Sequence, residues 1–240
     1  MAKLSIIIPV YNEKETILKL LDKVNQVDLG NIEKEIIIVD DFSTDGTREI
    51  LRSAENQYKA PLFGGSGIKI IYHDKNYGKG RAVRSGIKQV TGDWVIIQDA
   101  DLEYEPNDIK KVLNKMIQKN AQVVYGSRRL NGEYLRGRYS GISFAIGGIF
   151  VSWIANLLYQ IHITDEPTCY KMIKTDLLKS LNLQCERFEF CPEVTAKVAK
   201  RKIKIYEVPI NYYPRHKNEG KKINWYDGLE AIWTLIKYRF

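Results

Sequence analysis

Aliphatic runs at residues 4–10, 35–39, 68–72 and 94–98 recur with helix-like stretches between them, and this alternation constrains the fold more than any other feature. The first run, Leu-Ser-Ile-Ile-Ile-Pro-Val, is apolar almost throughout, the pattern of a strand covered on both faces. After it Thr16, Ile17, Leu20, Leu21 and Val24 fall at helical spacing. Residues 47–54, 80–90 and 107–118 read as further helices, and 123–125 as a fifth strand. Parallel strands need crossovers of roughly a dozen residues, which such helices supply. The expectation is an α/β fold, a mostly parallel central sheet with helices on both faces. With 44% hydrophobic and 28% charged residues, a 240-residue chain can bury a core unaided. A disordered tail, a fibrous repeat and a disulfide-stapled mini-protein are thereby excluded. Cys169, Cys185 and Cys191 are odd in number and lack C-x-x-C spacing. They read as reduced thiols of a cytosolic protein, not as a disulfide framework or zinc site. The apolar run before Pro9 is too short for a signal peptide. Residues 59–67 read as a loop-like insertion.

Ligands of such sheets collect at the carboxyl ends of the strands. Here those ends carry Pro9-Val10-Tyr11-Asn12-Glu13, Asp40-Asp41 with Asp45-Gly46-Thr47, Asn76-x-Gly78-Lys79-Gly80, and Asp99-Ala100-Asp101. Two carboxylates two residues apart after a buried strand suit a hard divalent cation that shares a diphosphate. Magnesium or manganese fits such oxygen donors, whereas zinc favours His and Cys. The same pair also occurs at turns and helix starts, where Glu103 or Asp108 would be a cap. Asp40-Asp41 offers either a carboxylate for a nucleotide's base or ribose, or an ordinary turn into a helix. The Asn76–Gly80 stretch lacks the full dinucleotide and Walker A spacings. It can still bring backbone and a lysine to a phosphate at a helix start.

The formal charge of +8 resides in the second half. Residues 1–120 hold 18 basic and 18 acidic side chains, and residues 121–240 hold 19 and 11. A basic half is either a solvated surface or one that meets nucleic acid, a phosphorylated substrate or a membrane. Residues 142–161 contain 20 residues and no charge, enough in length for a membrane span. However, Gly148, Ser152, Asn156 and Gln160 recur every four residues, opposite Ile146, Ile149, Phe150, Trp153, Ile154, Leu157 and Leu158. An amphipathic helix lying in a membrane interface, or one packed in the core, fits that pattern better than a span. Arg128, Arg129, Arg136 and Arg138 precede it, and Lys197, Lys200, Arg201, Lys202 and Lys204 follow. These attract anionic headgroups or hold an acceptor phosphate. Residues 226–240 read as a terminal amphipathic helix with Leu229, Ile232, Trp233 and Ile236. No transmembrane hairpin is read after it, so attachment is expected to be peripheral or through a protein partner.

In their order along the chain, these motifs resemble the family-two inverting glycosyltransferases of GT-A fold. Within them the chain is similar to the dolichyl-phosphate mannose synthases and polyprenyl-phosphate glycosyltransferases. To the strand-end motifs are added Gly126-Ser127-Arg128, Thr164-Asp165, Glu207-Val208-Pro209-Ile210 and the stretch from Arg215 to Gly220-Lys221-Lys222. The resemblance covers most of residues 4–225. Two departures stand out: Glu103 where mannose synthases carry Gln, and Cys169-Tyr170-Lys171 where many relatives have Gly-Phe before the basic residue.

The resemblance implies one glycosyltransferase domain over residues 1–240. Residues 1–127 would bind a nucleotide sugar, and residues 128–240 would form a helical, acceptor-binding and membrane-facing half. Pro9, Tyr11, Glu13 and Asp41 would line the nucleotide pocket, with Asp41 on the base and Lys79 near the phosphates. Asp99, Asp101 and Glu103 would hold Mg2+ or Mn2+. Arg128 would face phosphate, Asp165 would sit near the reacting centre, and Arg215 would close over the site. Arg136, Arg138, Lys221 and Lys222 are candidates for the acceptor phosphate. The implied activity moves one hexose to a polyprenyl or dolichyl phosphate at the cytoplasmic face of a membrane, with GDP-mannose the favoured donor and UDP-glucose the next. A lipid phosphate is already a nucleophile at neutral pH, its second pKa being near 6. That agrees with His73, His162 and His216 all lying outside the motifs, although Asp165 can serve as a base. The alternatives are a saccharide or protein hydroxyl as acceptor, or a catalytically silent nucleotide-sugar-binding subunit. Nucleic-acid binding leaves the acidic strand ends unexplained.

Overall fold

The computed structural model describes residues 1–57, 65–130, 142–215 and 224–240. Its first half follows the expected alternation: β1 (Lys3–Val10), α1 (Ile17–Gln26), β2 (Glu33–Asp40), α2 (Thr47–Gln57), β3 (Gly65–Tyr72), α3 (Lys79–Ile87), β4 (Trp94–Ile97), α4 (Asp108–Gln118) and β5 (Val123–Ser127). The second half continues with α5 (Ile142–Tyr159), β6 (Lys171–Lys174), α6 (Thr175–Ser180), α7 (Phe190–Lys200), β7 (Ile205–Pro209) and α8 (Trp225–Arg239). The strands form one sheet in the order β3-β2-β1-β4-β6-β5-β7. β1 pairs in parallel with β2 and β4, as do β2 with β3 and β5 with β7; β6 runs antiparallel to both its neighbours. The sheet is therefore mostly parallel, as expected. Strands β6 and β7 and helices α6 and α7 were not among the elements expected from sequence.

The continuous apolar run of β1 has a direct physical reading. Alternate residues of a strand face opposite sides of its sheet. Ile6, Ile8 and Val10 pack with Ile36, Ile38 and Ile96 against α1 and α4, through Leu20, Val24, Ile109 and Val112. Ile7 packs with Ile37, Val39, Val95 and Ile97 against α3, α5, α7 and α8, through Val83, Ala155, Val194 and Leu235. Each face has its own core, so neither parity can be polar. The structure thereby forms the three-layer arrangement of helices, sheet and helices.

On the second side α3 lies close to β1. A Cβ on Gly86 would stand 2.6 Å from Ile7 Cγ2, nearer than packed atoms tolerate. Gly86→Ala should therefore lower the urea-unfolding free energy by about 1–3 kcal/mol, the range for overpacking a core. An unchanged midpoint would show that α3 can retreat from the sheet without cost. The contact matters to function because α3 begins at Lys79.

Helix α5 presents the two faces read from its sequence. Val151, Ser152 and Ala155 are buried, whereas Ile146, Phe150, Trp153 and Leu157 are exposed. Ser152 Oγ accepts the Glu166 N–H at 2.9 Å, and the Asn156 amide exchanges two hydrogen bonds with the backbone of Ile163. The small and polar face thus docks the helix onto the domain. Among the described residues no helix is long and apolar enough to cross a membrane.

Candidate active site

From β1 the chain fills β2 and β3 on one side of the sheet and then places β4 on the other. The carboxyl ends of β1 and β4 accordingly flank a crevice, the place where open α/β sheets bind ligands. A cleft of about 620 Å³ opens there. Pro9, Tyr11, Glu13, Asp41, Lys79, Asp99, Asp101, Glu103, Arg128 and Arg215 all line it, so ten of the sequence-derived candidates converge on one space. Arg136, Arg138, Lys221 and Lys222 lie outside the described residues.

The two strand-end carboxylates occupy different surroundings. Asp99 Oδ1 lies 2.5 Å from Lys79 Nζ. Asp101 lies 3.5 Å from Arg215 Nη2 and accepts the Glu103 N–H at 3.1 Å. Burial, then the charges of Asp99 and Glu103, push the Asp101 carboxyl up to about 7. Like carboxylates this close resist ionising together, and a divalent cation between them would reverse that balance. Asp99 and Asp101 therefore fit a hard cation that completes its shell with diphosphate oxygens and water. Glu103 does not join them. Its carboxylate accepts from the Tyr212 hydroxyl and, at 2.9 Å, from the Arg215 backbone N–H. Among the described residues no three acidic, His or Cys side chains converge as a ligand group. The third ligand expected from sequence is instead a brace for the segment carrying Arg215.

That brace positions a guanidinium. Arg215 forms a bidentate pair with Glu13 at 2.9 and 3.1 Å, across 202 positions of sequence. It joins the carboxyl end of β1 to the segment after β7 at the cleft.

Asp41 holds the opposite wall. It accepts the Tyr77 and Gly78 N–H groups at 2.9 and 2.7 Å, and its Oδ1 lies 2.7 Å from His73 Nδ1. It thereby shapes the loop leading into α3. Gly78 there has φ +99°, and a Cβ would stand 2.4 Å from the Glu186 carbonyl oxygen, so only glycine fits. The start of α3 is not open to phosphate as expected. Its Gly80 and Arg81 N–H groups donate to the Arg187 and Glu186 carbonyls at 2.9 and 3.0 Å. From this helix start Gly78, Lys79 and Ala82 line the cleft, and Lys79 brings the charge. Asp45 proves structural, accepting from the Thr47 backbone at 3.0 Å and thus capping the turn into α2.

Asp165 requires a larger correction. It is fully buried and stands behind Arg128 rather than on the cleft wall. The Arg128 guanidinium donates to both its oxygens at 2.7 Å, and the Arg128 N–H adds a third bond at 2.9 Å. Burial raises the Asp165 carboxyl, but the Arg128 charge, the hydrogen bonds from Arg128 and the Arg129 charge together outweigh burial and hold it below its ordinary value. So placed, Asp165 is engaged by Arg128 and positions it. Glu207 in turn accepts the Thr164 N–H at 2.9 Å, which orients the Thr164-Asp165 turn. Arg128 itself faces the cleft, 4.9 Å over the Tyr212 ring.

Several lining residues were not singled out from sequence as site residues. Tyr104 stacks on Tyr170 at 4.8 Å, and its hydroxyl accepts the Cys169 N–H. Cys169, Cys191, Arg187 and Phe188 also line the cleft, and Glu166 is fully buried with no hydrogen-bond partner for Oε2 among the described residues. All but Tyr104 come from the second half.

Comparisons with known proteins agree with this geometry. The profile described as "Glycosyl transferase family 2" matches residues 5–181. A UDP-N-acetylglucosamine–dolichyl-phosphate N-acetylglucosaminyltransferase of Methanococcus voltae is 28% identical over 96% of this chain and 94% of its own length. A dolichol-phosphate mannosyltransferase of Pyrococcus furiosus is 29% identical over 98% of this chain, which spans 64% of that longer protein. Among solved structures, glucosyl-3-phosphoglycerate synthase of Mycobacterium tuberculosis, in complex with Mn2+, UDP and phosphoglyceric acid, superposes with a TM-score of 0.69 at 18% identity. That match covers 99% of this chain and 78% of the other, and it establishes the shared fold.

Proposed function

The chain belongs to glycosyl transferase family 2, and from this premise we propose that it moves one sugar from a nucleotide sugar to a polyprenyl or dolichyl phosphate. One observation carries the reading: a carboxylate pair, Asp99 and Asp101, is ringed by the cations Lys79, Arg128 and Arg215 in one cleft. Mixed charge of this kind suits a diphosphate that arrives with a divalent cation. Asp99 and Asp101 would hold Mg2+ or Mn2+, which offsets charge on the departing nucleoside diphosphate. Lys79 fixes Asp99, and Arg215 shields Asp101 while tying Glu13 to the rim. Arg128, held rigid by Asp165, offers a guanidinium to a phosphate group. In-line attack by an acceptor phosphate oxygen inverts the anomeric centre and calls for no protein base. That accords with an Asp165 engaged by Arg128.

The lipid character of the acceptor rests on a second surface. Helices α5 and α8 pack side by side, with the Tyr159 hydroxyl donating to the Leu235 carbonyl at 2.6 Å. Trp153, Phe150 and Leu157 on one helix and Trp225, Leu229 and Trp233 on the other are at least half exposed. Gly147 and Gly148 of α5 and Trp225 and Gly228 of α8 also line the cleft. The apolar surface and the site are thus continuous, and a peripheral stance on a bilayer would let a lipid phosphate enter directly. The Trp153→Glu/Trp233→Glu double variant should lose about tenfold or more of its partition onto anionic vesicles in co-sedimentation. Unchanged partition would remove the membrane role from these helices.

The donor favoured from sequence is GDP-mannose. The Methanococcus relative, whose name specifies UDP-N-acetylglucosamine, places that donor beside it. The test supplies labelled GDP-mannose, UDP-N-acetylglucosamine or UDP-glucose with polyprenyl phosphate and Mn2+ or Mg2+, and counts label in the extracted lipid. Label in lipid from one donor is the expected result. Label only in soluble saccharide would replace the acceptor, and no transfer from any donor would favour a silent binding subunit.

A further inference from the structure

We propose that Cys169 and Cys191 form a thiol pair in the cleft wall that closes reversibly to a disulfide, and that closure excludes the nucleotide sugar. The second clause rests on the function proposed above; the first does not. Cys169 lies just before β6, and Cys191 is the second residue of α7, so the fold brings together two positions from separate elements. Both line the cleft. The nearness of the two thiols pushes that of Cys169 up and that of Cys191 down. Cys191 Sγ also lies 3.3 Å from the Thr168 carbonyl oxygen, one peptide unit from Cys169. The third cysteine is set apart by place: Cys185 does not line the cleft. Two of the three thiols are therefore placed to react with each other and with a small oxidant in the cleft.

The chemistry balances with a peroxide as oxidant. One sulfur attacks hydrogen peroxide, gaining a hydroxyl as the O–O bond breaks and water leaves. The second sulfur then attacks that sulfenic sulfur, expelling a second water and forming the S–S bond. Two electrons pass from the sulfurs to the peroxide, and an external dithiol reverses the step. The consequence reaches the donor site through Lys79. Lys79 Nζ lies 3.0 Å from Cys169 Sγ and 2.5 Å from Asp99 Oδ1. Bonded sulfurs sit about 2.05 Å apart, far closer than two free thiols. Closure therefore draws the start of β6 toward α7 and takes Cys169 from its lysine.

The test treats the full chain with limiting hydrogen peroxide, counts free thiols after denaturation, maps the linked peptide by mass, and titrates UDP and GDP with Mn2+ before and after. The expected result is one free thiol, Cys185, and a peptide linking 169 to 191. Nucleotide affinity should fall about tenfold or more, and dithiothreitol should restore it. Cys185→Ser should leave the link intact, and Cys191→Ser should abolish it. Three surviving thiols, or a link through Cys185, would overturn the pair. A 169–191 link with unchanged nucleotide affinity would overturn donor exclusion. If the reduced chain binds neither nucleotide, the proposed function and donor exclusion fall together, and the thiol count still decides the pair.

Discussion

Asp101→Asn should reduce sugar transfer about 10³-fold or more while the protein becomes no less stable, because the change removes a charge and almost nothing else. The amide oxygen can still accept the Glu103 N–H that Asp101 accepts at 3.1 Å. The asparagine no longer repels Asp99 and Glu103, whose charges, with burial, raise the native carboxyl to about 7. A carboxyl raised above its unfolded value opposes folding once it ionises, so a neutral replacement should raise the urea midpoint slightly at neutral pH. Activity falls because a site built for a cation and a diphosphate loses half its carboxylate pair. Single-turnover rates and urea midpoints on the same samples separate the two effects. Turnover within a few-fold of the parent would remove Asp101 from the chemistry.

Arg128→Met should cost about 3–5 kcal/mol of stability, the range for leaving one partner of a buried ion pair uncompensated. Methionine replaces most of the side-chain volume, so the loss is electrostatic rather than a cavity. Asp165 is fully buried and receives three hydrogen bonds from Arg128, two of which vanish with the guanidinium. The pH dependence gives the sign. In the parent, Asp165 is held below its ordinary value of 3.8, so it stabilises the fold above that pH and loses this contribution as pH falls through its folded value. In the variant only the Arg129 charge and the backbone N–H of residue 128 still oppose burial, so burial raises the carboxyl. The fold is then penalised at neutral pH and relieved as pH falls through the raised value. The deficit between parent and variant, measured by urea unfolding, should therefore narrow from about pH 7 to about pH 5. A deficit independent of pH would point to lost packing rather than to a stranded charge.

The two halves of the chain differ in how far sequence reveals them. Strands β1, β2 and β4 were legible because each is covered on both faces, which forces an uninterrupted apolar run such as Ile6-Ile7-Ile8. β6 hides because it is four residues, Lys-Met-Ile-Lys, and its first lysine is fully buried. That burial is possible only because Lys171 donates to the Glu166 carbonyl and lies 3.8 Å over the Tyr125 ring, partners that no local pattern announces. The site divides in the same way. Strand-end motifs and the resemblance located its residues, since strand ends must meet at the crevice. Their pairings were not legible, because Glu13 with Arg215 and Arg128 with Asp165 are tertiary choices. Hence Glu103 and Asp165, expected as metal ligand and base, turn out to support Arg215 and Arg128. The face of α5 was legible from four-residue spacing, but which side meets protein depended on Ser152 and Asn156 finding backbone partners.

The most direct test of the account is calorimetric titration of UDP and of GDP into the protein, with Mn2+ and then with the metal chelated. The account predicts that one nucleotide binds with Mn2+, that chelation weakens it about tenfold or more, and that Asp101→Asn does the same with the metal present. Equal affinity with and without metal, and equal affinity in the variant, would contradict the claim that Asp99 and Asp101 form the nucleotide-diphosphate site.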